Sequence, residues 1–242
     1  MTNKIEIVIT MGGIGQRFRQ RGYNLPKYMI EAKGKTLFEW SMISLDGFRK
    51  NADKYIFIAL KDNNNDIENF IVQKCQKLNI NNYKIIMLDK LTDGQATTAM
   101  FAKTYWQADN SLLIYNIDTY VESGEMKFED IKGDGFIPCF KAEGTHWSFV
   151  RLDSFGNVVE IKEKERISDY CTIGAYYFKS CSLYQNLYEE FYLNKEYTKE
   201  KYIAPLYDFL LKKGGKIYIS DIPSSKVHVL GTPEELELFI NN

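Results

Sequence analysis

The sequence predicts an α/β fold, a mixed β-sheet covered on both faces by helices. Two observations predict it. In the first half, apolar runs of strand length alternate with segments of helical period, the pattern of parallel strands buried on both sides and joined by crossover helices. In the second half, strand-like runs follow one another with turns such as DSFGN between them, which adds an antiparallel or mixed section to that sheet.

Taken in order, IEIVIT (5–10) is a buried strand and TLFEWSMISLDGF (36–48) a helix. YIFIAL (55–60) is again wholly apolar, and DIENFIVQKCQKL (66–78) returns to helical spacing. YKIIML (83–88), GQATTAMFAKTYW (94–106) and SLLIYNID (111–118) repeat strand, helix and strand. Right-handed crossovers bring the carboxyl ends of such strands to one edge, where open α/β sheets bind ligands; the glycines after the first run and Asp118 both fall there. Further strands are expected at FIPCF (136–140), SFVRLD (148–153), VVEIK (158–162) and TIGAYYF (172–178). Helices follow at LYQNLYEEFYL (183–193) and KEKYIAPLYDFLLKK (199–213), then short strands at KIYISDI (216–222) and VHVL (227–230). The last helix starts in GTPEELELF, where Thr232 as N-cap, Pro233 behind it and Glu235 three residues on make a capping box. No repeat, low-complexity tract or linker divides the chain, so it reads as a single domain, 1–242.

With 242 residues, 45% hydrophobic and 26% charged, the chain supports a large core. A net charge of −1 gives no general attraction to nucleic acid or an anionic membrane, so an anionic ligand must be gripped locally. MTNKIEIVIT lacks the basic and apolar regions of a leader and no apolar run is long enough to span a bilayer, so the expected location is cytoplasmic. Cys75, Cys139, Cys171 and Cys181 are widely spaced and the only histidines are His146 and His228, which argues for reduced core cysteines rather than zinc. The aromatic-rich LYQNLYEEFYL reads as a packed surface or a homo-oligomer contact.

The chemistry concentrates in MGGIGQRFRQRGYNLPKYM, directly after the first strand. Glycines there let main-chain N–H groups approach a phosphate chain, Arg17 can grip phosphate oxygens in a fork, and Lys27 can stabilise growing charge. A plain glycine-rich turn satisfies the same spacing. No G-K-[ST] closes a Walker loop, and Phe18 stands where a dinucleotide fingerprint needs its third glycine.

The order of motifs carries more. GGIGQRF followed by LPKYMIEAKGKTLFEW resembles the opening of the sugar-phosphate nucleotidyltransferases, the pyrophosphorylase-like NTP transferase family. LTDGQATTAM is similar to that family's base-binding loop, LLIYNIDTYV to its metal-binding strand end, and WSFVRLDSFGNVVEIKEKERIS to its acceptor-site hairpin; TIGAYYF and LGTPEELELF complete the order. The resemblance implies a Rossmann-like three-layer α/β/α fold of the nucleotide-diphospho-sugar transferase type, with a nucleotide-binding half (1–120) and an acceptor-binding half (121–242). It implies that Met11, Gly12, Gly13, Gly15 and Arg17 hold a nucleoside triphosphate, with Arg17 toward the leaving pyrophosphate and Lys27 at the α-phosphate. Asp93, Gly94, Gln95 and Asn116 fall to the nucleotide's base and sugar, and Asp118 to Mg²⁺. Glu163, Lys164, Gly174 and Trp147 fall to the phosphorylated acceptor.

The activity implied is Mg²⁺-dependent transfer of a nucleoside monophosphate unit to a sugar 1-phosphate, in the synthesis of capsule or surface-glycan precursors. A cytidylyltransferase acting on phosphocholine or a polyol phosphate shares that chemistry. A glycosyltransferase would instead use Asn116-Ile117-Asp118 as a degenerate metal motif. The pattern departs from the family at Val229, where many members carry a second aspartate; His228 and Asp221 are the nearby substitutes the sequence offers.

Overall fold

Alternation along the first strands decides the architecture. The computed structural model describes residues 4–194 and 199–242; Met1–Asn3, on which the reading of a leaderless N-terminus partly rests, lie outside the described residues. In β1 (Ile5–Met11), Ile5, Ile7, Ile9 and Met11 join one core cluster while Val8 joins another, because successive side chains point to opposite faces of a strand. The glycine loop then runs into α1 (Gln16–Gln20), and a 3₁₀ turn at Lys27–Met29 leads to a small hairpin, β2 (Glu31–Ala32) and β3 (Lys35–Thr36).

Helix α2 (Leu37–Ile43) starts at a closed capping box between Thr36 and Glu39. It is followed by β4 (Ala52–Leu60), α3 (Ile67–Lys77), β5 (Tyr83–Leu88), α4 (Gln95–Met100) and β6 (Ser111–Asn116). The helix expected over 94–106 is α4 plus a 3₁₀ turn at Phe101–Thr104. A short strand, β7 (Thr119–Val121), follows Asp118. The second half supplies β8 (Gly135–Lys141), β9 (Ser148–Leu152) and β10 (Val158–Glu163). The run expected as one strand at 172–178 is two, β11 (Tyr170–Thr172) and β12 (Ala175–Phe178), broken where Gly174 takes φ +80°. Helices α5 (Cys181–Tyr188) and α6 (Ala204–Lys212) precede β13 (Ile217–Asp221), β14 (Val227–Val229) and α7 (Pro233–Asn241).

The main sheet has the order β10-β9-β11-β8-β12-β6-β1-β4-β5, with β13 parallel to β8. Strands β5, β4, β1 and β6 are parallel, and β12 pairs antiparallel with β6, which makes the sheet mixed. One face packs Phe38 and Met42 of α2 and Ile71 and Cys75 of α3; the other packs Ala96 and Ala99 of α4 with residues of α5 and α6. The result is the expected α/β/α layering. All four cysteines are buried and free. Among the described residues no helix is long and apolar enough to cross a membrane.

Candidate active site

In the parallel register Thr10 pairs with Asn116, so the segments that follow β1 and β6 leave the sheet from the same edge. That edge opens into a cleft of about 480 Å³. Its walls include Met11, Gly12, Gly13, Gly15, Arg17 and Lys27 from the first motif, and Gly94, Gln95, Asn116 and Asp118 from the next two. Trp147, Glu163, Lys164 and Gly174 of the second half line it as well. Asp93 is absent from the lining, since its carboxylate turns away to meet Lys201 Nζ at 2.7 Å.

The loop's glycines have unequal reasons. Gly15 takes φ +62° at the start of α1, a conformation that favours glycine, and packs the loop in ordinary contact with Lys27, whose Cβ lies 3.5 Å from where a β-carbon would stand. Gly94 (φ +147°) is required by the packing of the protein itself: a β-carbon there would stand 2.4 Å from the carbonyl oxygen of Lys201. Lys201 bridges that loop, its N–H donating to Asp93 O at 2.8 Å and its carbonyl accepting from Ala96 N at 2.9 Å. Gly174 likewise makes room for the Asn116 amide, which a β-carbon would meet at 2.4 Å. Gln95 Nε2 donates to Thr10 Oγ1 at 3.0 Å and to Asn116 Oδ1, tying α4 to the ends of β1 and β6.

Charge is gathered at two points. Lys27 Nζ lies 2.9 Å from Asp118 Oδ2, with both side chains mostly covered. Arg19 and Arg21 are committed to Asp62 and Glu234, whereas Arg17 is exposed at the cleft with no polar partner among the described residues. At the other end Glu163 accepts a hydrogen bond from Ser148, whose hydroxyl also meets Tyr176; burial pushes the Glu163 carboxyl up, against the Ser148 hydrogen bond. Lys164 sits in left-handed backbone (φ +56°), its N–H held by Trp147 O at 2.9 Å. Its ammonium donates to the Tyr202 hydroxyl, itself bonded to Glu200; burial acts to lower the lysine's pKa, but Tyr202 and the nearby carboxylates leave it raised. Glu200, Lys201 and Tyr202 come from a segment with no local sign of a site.

The helix-start expectation at Thr232 is half met. Glu235 N–H donates to Thr232 Oγ1 at 3.2 Å, but Glu235 Oε2 is buried without a hydrogen-bond partner. It faces the cleft, where a β-carbon on Gly231 would stand 3.4 Å from Glu235 Oε2 and 3.6 Å from Asp118 Oδ2. Val229 lines the same wall. Neither substitute offered by the sequence does: His228 stacks on Tyr120 with Nε2 3.4 Å from Glu122, and Asp221 lies 3.7 Å from Lys141. Among the described residues no group of three or more His, Cys, Asp or Glu side chains gathers, so a cation here would rest on few carboxylates and on substrate oxygens.

No protein-family model matches the chain, and no curated protein does. Solved structures do. A nucleoside-diphosphate-sugar pyrophosphorylase from Vibrio cholerae RC9 is 33% identical over 98% of this chain and 100% of its own, with a TM-score of 0.88. The chain belongs to the NTP transferase family. It is an enzyme of the nucleotidyltransferase, pyrophosphorylase type. The fold is shared more widely: an inositol-1-phosphate CTP transferase from T. maritima has a TM-score of 0.77 at 16% identity, covering 97% of this chain and 92% of its own. A CTP:phosphocholine cytidylyltransferase from Streptococcus pneumoniae has 0.75 at 13%, covering 98% of each. The glycine loop, Lys27 and Asp118 of this NTP transferase stand together in the cleft at the carboxyl edge of its parallel strands, the edge at which open α/β sheets in general bind ligands.

Proposed function

We propose that this nucleotidyltransferase joins the nucleoside monophosphate unit of an NTP to a phosphorylated small molecule, a sugar 1-phosphate, and releases pyrophosphate in the synthesis of capsule or other surface-glycan precursors. The observation that carries the reading is the convergence of Lys27 and Asp118 with Glu163 and Lys164 on one cleft. The description of the Vibrio relative as a nucleoside-diphosphate-sugar pyrophosphorylase supports a sugar phosphate as acceptor.

In this reading an ionised acceptor oxygen attacks the α-phosphorus, the bond to the β-phosphate breaks, and pyrophosphate leaves, so no protein base is required. The main chain of Gly12, Gly13 and Gly15 and the free fork of Arg17 hold the triphosphate, Arg17 toward the leaving group. Lys27 neutralises charge at the α-phosphate. Its present partner Asp118 is suited to a hard cation, and Mg²⁺ would supply neutralisation of phosphate charge when bound. Gly94, Gln95 and Asn116 face the base and sugar, with Asp93 bracing their loop through Lys201; Lys164, Glu163, Trp147 and Gly174 face the acceptor. The chain acts as one domain in two halves, 1–120 for the nucleotide and 121–242 for the acceptor.

Each of the four NTPs is incubated with a panel of sugar, polyol and choline phosphates in Mg²⁺ buffer, and pyrophosphate is measured. Release with one NTP and a sugar 1-phosphate is expected. Release only with a choline or polyol phosphate moves the acceptor, and no pyrophosphate with any pair, alongside sugar transfer from a nucleotide sugar, overturns the reading.

A further inference from the structure

Glu235 occupies a position whose ordinary purpose is visible elsewhere in the same chain. At the start of α2 the Thr36–Glu39 box closes in both directions: Glu39 N–H donates to Thr36 Oγ1, and Thr36 N–H donates back to Glu39 Oε2 at 2.9 Å. At the start of α7 the first arm is made, but the returning carboxylate is withheld, and Glu235 Oε2 is buried without a hydrogen-bond partner. Buried side-chain oxygens nearly always have a hydrogen-bond partner, so an oxygen left without one marks a place for a partner to bind.

The place where it points is defined by a missing side chain. Gly231 leaves open a space bordered by Glu235 Oε2 and Asp118 Oδ2, each within 4 Å of where its β-carbon would stand. Leu230 N–H donates to Asp118 O at 2.8 Å, which fixes the Gly231 turn to the Asp118 loop. Val229, in the same wall, has no donor atom in its side chain to offer a cation. We infer that Glu235 supplies the second carboxylate of the divalent-cation site, from the first turn of α7, in place of a ligand at 229. The inference rests on the metal-dependent reading above, and it predicts that a hard cation is held between Asp118 and Glu235.

The test is Mn²⁺ titration of the full chain followed by the electron paramagnetic resonance signal of free Mn²⁺, with thermal unfolding measured in parallel. Glu235→Gln and Asp118→Asn should each weaken Mn²⁺ binding about tenfold or more. Glu234→Gln, one residue away and paired on the surface with Arg21, should leave it unchanged. Without metal Glu235→Gln should unfold at the wild-type temperature or above it, since no hydrogen bond to Oε2 is lost, whereas the rise in unfolding temperature that Mn²⁺ gives the wild type should disappear. Mn²⁺ binding by Glu235→Gln within twofold of wild type overturns the inference. If the wild type also releases pyrophosphate, the proposed function survives that result; a wild type that neither binds Mn²⁺ nor releases pyrophosphate removes both.

Discussion

Glu39 is the residue whose removal has the best-defined consequence. Its side chain is 3% exposed and receives Lys74 Nζ at 2.8 Å and Lys77 Nζ at 2.7 Å. It also receives Thr36 N–H at 2.9 Å and the Thr36 hydroxyl at 2.8 Å. Burial alone would raise its pKa, but the two lysines and Thr36 outweigh burial and hold it at about 2, against an ordinary 4.5. At ~1.4 kcal/mol per unit, that difference corresponds to roughly 3 kcal/mol of folding stability. Lys77 is 61% exposed, so solvent screening takes part of it and about 2 kcal/mol is the working figure. Because the folded-state pKa is depressed, this stability is fully present above the ordinary carboxylate value and is lost as pH falls toward 2. Urea unfolding of wild type and Glu39→Gln, followed from pH 6.5 to 3.5, should show a gap of about 2 kcal/mol at the upper end that narrows steadily toward acid. A gap that stays constant across the range would refute the ionic account. The matter reaches the site because α2 packs on the turn that carries Lys27, with Leu37 N–H bonded to Ile30 O at 2.9 Å.

Lys27→Ala should lower kcat by roughly 10²–10³-fold with an unchanged far-ultraviolet circular dichroism spectrum, because Asp118 is partly exposed and water can replace the ammonium; near-normal turnover would remove Lys27 from the chemistry. Gly94→Ala forces a side chain into left-handed backbone and against the Lys201 main chain, and should cost about 2–4 kcal/mol in urea unfolding. Tyr202→Phe frees Lys164 from its hydroxyl partner and should change the acceptor KM by about 2–10-fold while the NTP KM stays fixed, as read in steady-state pyrophosphate release.

The strands were legible where both faces are apolar: YKIIML is β5 to the residue, and YIFIAL is the buried end of β4. Two-residue strands such as β2 and β3, and β7 after Asp118, are too short for any periodicity and exist because a neighbour offers hydrogen bonds. The cleft residues of the first motif were legible because they sit close together in one segment, while Lys201 braces the 93–95 loop from about a hundred residues further on, Tyr202 meets Lys164 across 38 residues, and neither carries a local pattern. Gly94 and Gly174 both line the cleft, and their bare backbone also accommodates protein atoms, those of Lys201 and Asn116, which no local pattern announces. Glu235 was hidden by a capping signature that explains the same residue, and only the unmade return bond distinguishes the two roles.

The antiparallel seam between Tyr115–Leu112 of β6 and Ala175–Phe178 of β12 stitches the sequence's two halves into one ladder of main-chain hydrogen bonds. Jaws hinged on separate bodies can close over a guest, but in a slot cut into the rim of a continuous sheet the strands behind it stay in register and only the loops around it can move. Selection of the guest therefore falls to the loops and side chains mounted on the rim, and exchanging those fittings would retool the enzyme without touching its frame.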